Sequence, residues 1–245
     1  MQIATFQGIR GGVGTTSVVA MLADALHRQG EHVLVVDTNP SDVLRLFFNV
    51  AQADGNGWAG ALSQGQPWHE SAFRVDQRLD LIPFGRNSLQ NGPHAAAELT
   101  LSETFWLEAL EHLKGNCSWL LFDLPSVTSH YTRIQAKAHL DIRVASTDAG
   151  CHVSLAQTHL PKTCKLLASL YDPTRTLSGD ILLDWRYRYH DQIIPFPMHR
   201  DEAVHEALAQ KTTVQLLYPD AVGAQDAHSL ATWCRTHKGS ESCIG

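Results

Sequence analysis

Gly8-Ile9-Arg10-Gly11-Gly12-Val13-Gly14-Thr15-Thr16-Ser17 directly follows an apolar-rich start, residues 1–6, and runs into a stretch with helical spacing. It reads as a phosphate-binding loop. Glycines let successive backbone N–H groups turn inward without a Cβ in the way, and the helix behind them adds the positive end of its dipole. Thr16 and Ser17 fall in the first helical turn, with hydroxyls available to a Mg²⁺ ion and a phosphate oxygen. The ordinary loop of this kind is G-x-x-x-x-G-K-[ST], and its lysine position is Thr15 here. The turn can cradle an anion but lacks its usual cation. Taken alone, the motif also admits a glycine-rich strand-to-helix turn with no ligand.

After the loop, Val18, Val19, Met21, Leu22, Ala25 and Leu26 recur at helical spacing, and Gly30 supplies the stop. Residues 32–36 form a short β-branched run, as in a buried parallel strand, and end in Asp37-Thr38-Asn39-Pro40. Strand, loop, helix and strand make a βαβ unit with the loop at the carboxyl end of its first strand. The second strong signal is Ser118-Trp119-Leu120-Leu121-Phe122-Asp123-Leu124-Pro125, an apolar strand whose first charged residue is expected just past its end. That is a Walker B arrangement, in which Asp123 can hold the water shell of Mg²⁺ opposite Thr16. Elsewhere the pattern predicts a short helix over 43–48, an insertion over 55–68 that meets a partner or a dimer face, and a third strand over 79–85. It also predicts a helix over 99–113 with Trp106 and Leu110 in the core. Beyond Asp123 it predicts a helix near 132–138, a strand over 141–146, a long helix over 153–170 kinked at Pro161, and a buried strand over 181–183. A strand end and helix start over 196–203 and an amphipathic run over 221–233 close the chain. The expected fold is α/β: one P-loop NTPase domain over 1–236, a mostly parallel twisted sheet with helices on both faces, then a polar tail over 237–245.

Composition bounds the function. With 245 residues and 44% hydrophobic content the chain can bury a full core, and a net charge of −6 argues against a general nucleic-acid surface. The five cysteines form no C-x-x-C pair, which speaks against a disulfide framework or a zinc ribbon and for a reducing compartment. No run approaches the ~18 apolar residues that would span a bilayer, so any membrane association is expected to be peripheral or through a partner. The fourteen histidines are scattered without ligand spacing.

A basic residue just before the glycine pair resembles the deviant Walker A loop, K-G-G-x-G-K-[ST], of the MinD/ParA ATPases, with Arg10 at the signature lysine. In that family the early lysine reaches the nucleotide of a dimer partner, so the resemblance implies that Arg10 does the same, with a guanidinium able to grip phosphate through two donors. It implies further that Arg10, Gly11, Gly12, Val13, Gly14, Thr15, Thr16 and Ser17 bind ATP, that Thr16 and Asp123 serve Mg²⁺, and that Asp37 and Asn39 stand where D-x-D manages the attacking water. Asn39 can hydrogen-bond a water but carries no charge, so slow hydrolysis is expected; equally, Asp37 can cap a turn and Asn39 can open one before Pro40. The family's Pro-Glu pair falls near Ala149-Gly150, its base-reading Asn near Asp184-Trp185-Arg186, and its base-binding segment near Asp201-Glu202. The motifs at 10–16, 33–37, 44–49, 79–85, 122–125 and 199–203 together are similar to the MinD-like family of bacterial cellulose secretion. This implies a cytoplasmic, nucleotide-bridged homodimer that assembles with small accessory proteins and, through them, at the inner-membrane cellulose synthase complex, without binding nucleic acid. An active ATPase switch and a nucleotide-free scaffold are the rival expectations.

Overall fold

In chain order the strands are β1 (Gln2–Gly8), β2 (Val33–Asp37), β3 (Phe73–Asp76), β4 (Leu79–Ile82), β5 (Trp119–Leu124), β6 (Leu140–Ser146) and β7 (Lys165–Ser169). The helices are α1 (Thr15–Arg28), α2 (Trp58–Ser63), α3 (Ala95–Leu113), α4 (Thr132–Lys137), α5 (Ala149–Gln157), α6 (Thr176–Arg188), α7 (Glu202–Ala209), α8 (Val214–Leu217) and α9 (Val222–Thr236). The computed structural model describes residues 1–51, 55–85, 95–126 and 131–237, without the side chains of 95–102; the expected tail lies outside the described residues from 238 on. The sheet runs β3-β4-β2-β5-β1-β6-β7, and every neighbouring pair is parallel except β3 with β4.

Both faces of this sheet are covered, which is why its inner strands are apolar at successive positions rather than at alternate ones. Along β5, Trp119 and Leu121 enter one core with Val18, Leu22 and Leu26 of α1, while Leu120 and Phe122 enter the other with Trp58, Trp106 and Ile134. On the first face α9 packs on α1 through Ala224, Ala227 and Ala231, small side chains that let two helix backbones approach closely. The expected core positions Trp106 and Leu110 are buried as read.

Several elements differ from the sequence reading. The helix expected over 153–170 is two elements: α5 stops at Gln157, ahead of Pro161, and Leu166, Leu167 and Ala168 are buried in β7. A proline interrupts a helix by removing a donor and clashing with the preceding turn, so here it separates the two elements rather than kinking one. Residues 181–183 are helical, within α6; Ile181, Leu182 and Trp185 face inward while Leu183 is 68% exposed. Three consecutive apolar residues do not distinguish a strand from one turn of helix. Residues 196–200 form no strand; the Met198 amide donates to Ala168 O of β7 at 2.8 Å, and His199 makes an isolated bridge with Tyr171 just past the end of that strand. The stretch 44–48 is a 3₁₀ helix, and the strand at 79 is the fourth, because β3 precedes it as an antiparallel hairpin partner. Within 55–68, Trp58 is 2% exposed and belongs to the core, not to an outer face. Among the described residues no helix is long and apolar enough to cross a membrane.

Candidate functional site

β5 and β6 flank β1, so the loop that leaves β1 emerges at the carboxyl ends of three adjacent parallel strands. Gly12 and Gly14 have φ of +78° and +83°, a region that a side chain would strain. Gly14 is the N-cap of α1 and supplies no side-chain cap, and the first turn holds no acidic residue, so the helix start keeps its donors and its positive end for an anion. Ser169 Oγ at the end of β7 donates to the Val13 carbonyl at 2.7 Å, and the Ile9 amide donates to Val144 O at 2.9 Å, which pins the loop on one side. A cavity of about 90 Å³ beside the loop is walled by Gly14 and Ser17 and, opposite them in sequence, by Leu170, His199 and Asp201.

The register then sets the acids. Asp37 on β2 pairs directly with Asp123 on β5, so two carboxylates stand side by side, both wholly buried. Thr16 Oγ1 donates to Asp123 Oδ2 at 2.7 Å, and the Asn39 amide donates to Asp37 Oδ1 at 2.8 Å. Asp123 Oδ1 and Asp37 Oδ2 are buried with no hydrogen bond at all. Burial pushes the Asp123 carboxyl up to about 7, against the opposing pull of the Thr16 hydroxyl. Asp37 is raised well above the usual carboxylate range by burial and then by the neighbouring Asp123 charge. Two buried carboxylates, two unused oxygens and a hydroxyl are the donor set of a hard divalent cation, and the charge of such an ion would offset the cost of ionising both acids. The fit to Mg²⁺ therefore rests on oxygens that have no other partner. Asp123 lies inside β5 rather than past its end, and Thr38 fixes the height of that strand by donating through Oγ1 to Asp123 O at 2.7 Å.

Arg10 is the only Lys or Arg of the loop, and it is turned back on its own chain. Its Nη2 donates to Asp148 Oδ2 at 2.7 Å and its Nη1 to Gly11 O at 2.9 Å, with the Arg10 and Asp148 side chains each 42% exposed. Asp148 also caps α5, accepting from the Cys151 amide at 3.0 Å. Sequence reasoning missed Asp148 because it started the helix at 153; Ser146-Thr147-Asp148 ahead of the true start at Ala149 is an N-cap signal that was there to use. It also missed Trp58, whose Nε1 donates to Asp37 O at 2.7 Å.

The remaining expectations fall as follows. Gly11 opens toward Ser126, and Thr15 Oγ1 packs against Gly8, where an added Cβ would sit 2.8 Å from it. Asn39 does open a turn, accepting from the Ser41 amide at 3.1 Å, and Asp37 does cap one, so both modest roles are present beside any chemical one. Asp184, Trp185 and Arg186 lie inside α6, and Trp185 is buried with its Nε1 on His152 Nδ1 at 3.2 Å. Asp201 is the N-cap of α7, accepting from the amides of Ala203 and Gly223 at 3.0 and 2.8 Å. Among the described residues no group of three His, Cys, Asp or Glu is placed to hold a metal, so the two acids and Thr16 make a site that needs further oxygens from a ligand or water.

Among solved structures, cobyrinic acid a,c-diamide synthase from Mycobacterium smegmatis, crystallised with an ATP analogue and magnesium, superposes with a TM-score of 0.74 at 23% identity, covering 97% of this chain and 95% of that one. The septum site-determining protein MinD from Pyrococcus horikoshii, complexed with Mg-ADP, superposes with a TM-score of 0.67 at 18% identity over 94% of each chain. These likenesses establish the fold as that of MinD-like P-loop proteins. In sequence, the cellulose biosynthesis protein BcsQ of Salmonella typhi is 37% identical over 98% of this chain and 97% of its own length. Since the family model described as "Cellulose biosynthesis protein BcsQ" matches residues 1–235 as well, the chain belongs to the BcsQ family, the MinD-like family to which its motifs pointed.

Proposed function

We propose that this chain binds Mg-ATP between two protomers and serves as a slowly hydrolysing assembly factor of the cellulose synthase and secretion complex. The observation that carries this reading is the Thr16–Asp123–Asp37 cluster, in which Asp123 Oδ1 and Asp37 Oδ2 are buried without partners at the foot of an uncapped helix. Gly11, Gly12, Val13 and Gly14 would hold the phosphates by backbone amides, Thr16 and the two acids would hold the cation, and Ser17 lies by the cavity that would take the rest of the nucleotide. The bound metal would neutralise phosphate charge. What this chain withholds is equally specific: Thr15 supplies no ammonium to the phosphates and Asn39 no charged base to a water, which supports binding that outlasts turnover.

The family's place in cellulose biosynthesis supports the cellular setting, on the cytoplasmic face of the inner membrane and reached through small accessory proteins. The direct test is to purify the protein, denature it, and separate any released nucleotide by chromatography. Co-purified ATP or ADP is the expected result. Protein that carries none, and binds none by calorimetry with Mg²⁺, returns the chain to the nucleotide-free scaffold.

A further inference from the structure

Arg45 is wholly buried, and among the described residues it is the one Lys or Arg that is. It sits in the 3₁₀ helix at 44–48, and its partners lie on both sides of it in sequence. Its Nε forms an ion pair at 3.3 Å with the carboxylate of Asp42, also wholly buried, while Nη1 donates to Ala51 O at 3.0 Å and Nη2 to Asn56 O. The Phe73 ring of β3 covers the guanidinium, its centroid 6.0 Å from Cζ. A buried guanidinium is costly unless it is paired and hydrogen-bonded, so the contacts that satisfy it also fix the chain segments they join. Asp42 itself is held at φ +53°, a left-handed conformation open to few side chains.

These segments close a ring on the candidate site. On one side Asp42 ends the turn that starts at Asp37: its amide donates to Asn39 O at 3.0 Å, and the Asn39 amide donates to Asp37 Oδ1. On the other side Asn56 stands two residues before Trp58, whose indole donates to Asp37 O. Gly57 between them lies on the backbone after β4, where an added Cβ would sit 2.3 Å from Gly85 N, and the Trp58 amide donates to Pro83 O at 3.0 Å. The reach of the indole to Asp37 is therefore set by the exit of β4 and by the hold of Arg45 on Asn56.

We propose that Arg45 is a positioning residue of the cation site: by tying Asp42 to Asn56 it holds the turn after Asp37 and the Trp58 indole together, and so fixes the Asp37 carboxylate beside Asp123. The inference rests on the Mg-nucleotide reading above and adds to it a residue that touches neither ligand. Arg45→Lys isolates the effect, because an ammonium keeps a charge beside Asp42 but lacks the planar fork that spans two carbonyls.

Two measurements decide. Calorimetry with ATP, in Mg²⁺ and in EDTA, gives the factor by which the cation tightens binding; in Arg45→Lys that factor should fall by roughly 10- to 100-fold, the range in which residues that orient metal ligands act. In protein free of metal and nucleotide, the Trp58 indole N–H, identified as the resonance that Trp58→Phe lacks, should exchange with solvent faster in Arg45→Lys. The Trp185 indole N–H, bonded to His152, should exchange as in wild type. A fold merely weakened throughout would speed both exchanges and leave the cation factor unchanged. Trp58→Phe should lower the same factor, and the double variant should lose little more than the larger single loss, because both residues act on one carboxylate. If Arg45→Lys does not fold, Asp42→Asn with Arg45→Met removes both charges, buries no unpaired ion and keeps at 42 a side chain that tolerates φ +53°; this protein should show the same fall. An unchanged cation factor in the folded variant overturns the proposal, as does a fall that adds in full to that of Trp58→Phe. A wild type that binds ATP equally with and without Mg²⁺, or not at all, brings down the Mg-nucleotide reading and the inference with it, whereas a variant as Mg²⁺-dependent as a Mg²⁺-dependent wild type brings down the inference alone.

Discussion

Asp37 and Asp123 stand side by side on neighbouring strands, wholly buried, and burial raises both carboxyls, with the Asp123 charge adding to the rise at Asp37. A buried acid whose folded-state value lies above its unfolded value stabilises the fold while protonated and loses that contribution as the pH rises through the folded value. With Asp123 at about 7 and an ordinary value near 3.8, the metal-free protein should lose stability between roughly pH 4 and pH 7. Asp123→Asn, which removes one of the two charges and keeps the shape, should raise the melting temperature of metal-free protein at pH 8 and flatten this slope. At about 2–4 °C per kcal/mol for a chain of this size, the rise should be easily resolved by calorimetry. The same variant should lose Mg²⁺-dependent stabilisation; a variant still stabilised by Mg-ATP like wild type would place the metal elsewhere. Gly12→Val should abolish nucleotide binding for a different reason, since valine at φ +78° cannot keep the turn and its side chain would enter the phosphate space. Thr15 and Asn39 set the expectation for turnover: loss of one charge-stabilising group typically costs ~10²–10³ in rate. Steady-state hydrolysis well below about 1 s⁻¹ is the expected result, and a rate at or above it would favour the active switch.

At the scale of elements, Trp58 couples the start of α2 to the site, because its indole holds the backbone oxygen of Asp37 while its ring packs edge-on to Phe84 and Trp106. Trp58→Phe should keep most of the packing and leave that buried carbonyl without its donor, at a cost of about 1–3 kcal/mol. Urea titration should show it as a lower midpoint with an unchanged slope, and a midpoint like that of wild type would mean the carbonyl finds another partner. The site's elements were legible in the sequence because each carries a local signature: the glycine turn, the β-branched run ending at Asp37, the apolar strand ending at Asp123. What was hidden is where pattern and element part company. The apolar triplet at 181–183 fits a strand and one helical turn equally well, and only the inward Trp185 one turn from Ile181 decides. β3 was invisible as a strand because its Phe-Arg-Val-Asp alternation spans four residues at a sheet edge, too short to stand out from the loop around it. Asp148 escaped because a cap is recognisable only once the helix start is placed.

The whole molecule presents Arg10 at the same end of the sheet as the two acids, where the proposed dimer would use it for a different task. Asp37 and Asp123 are buried within the protomer with Thr16 partly buried beside them, whereas Arg10 is half exposed and reaches the surface beside the start of α5. Its absence should leave binding of nucleotide in its own protomer nearly intact, because the backbone donors, the helix start and the acids all remain. Association is another matter. Two facing protomers without nucleotide would bring like charges together, and two bound polyphosphates would turn each guanidinium into a bridge. Arg10→Ala should therefore bind Mg-ATP by calorimetry yet scatter light as a monomer, while wild type at the same concentrations forms a dimer. Arg10→Lys should restore dimerisation only in part, since an ammonium cannot make the paired contact of a guanidinium. Raised salt should weaken the wild-type dimer only modestly if the bridge is shielded from solvent, since screening acts mainly on exposed charges. An Arg10→Ala protein that dimerises like wild type would leave Arg10 a surface charge seated on Asp148 and take away the bridge on which a nucleotide-gated assembly depends.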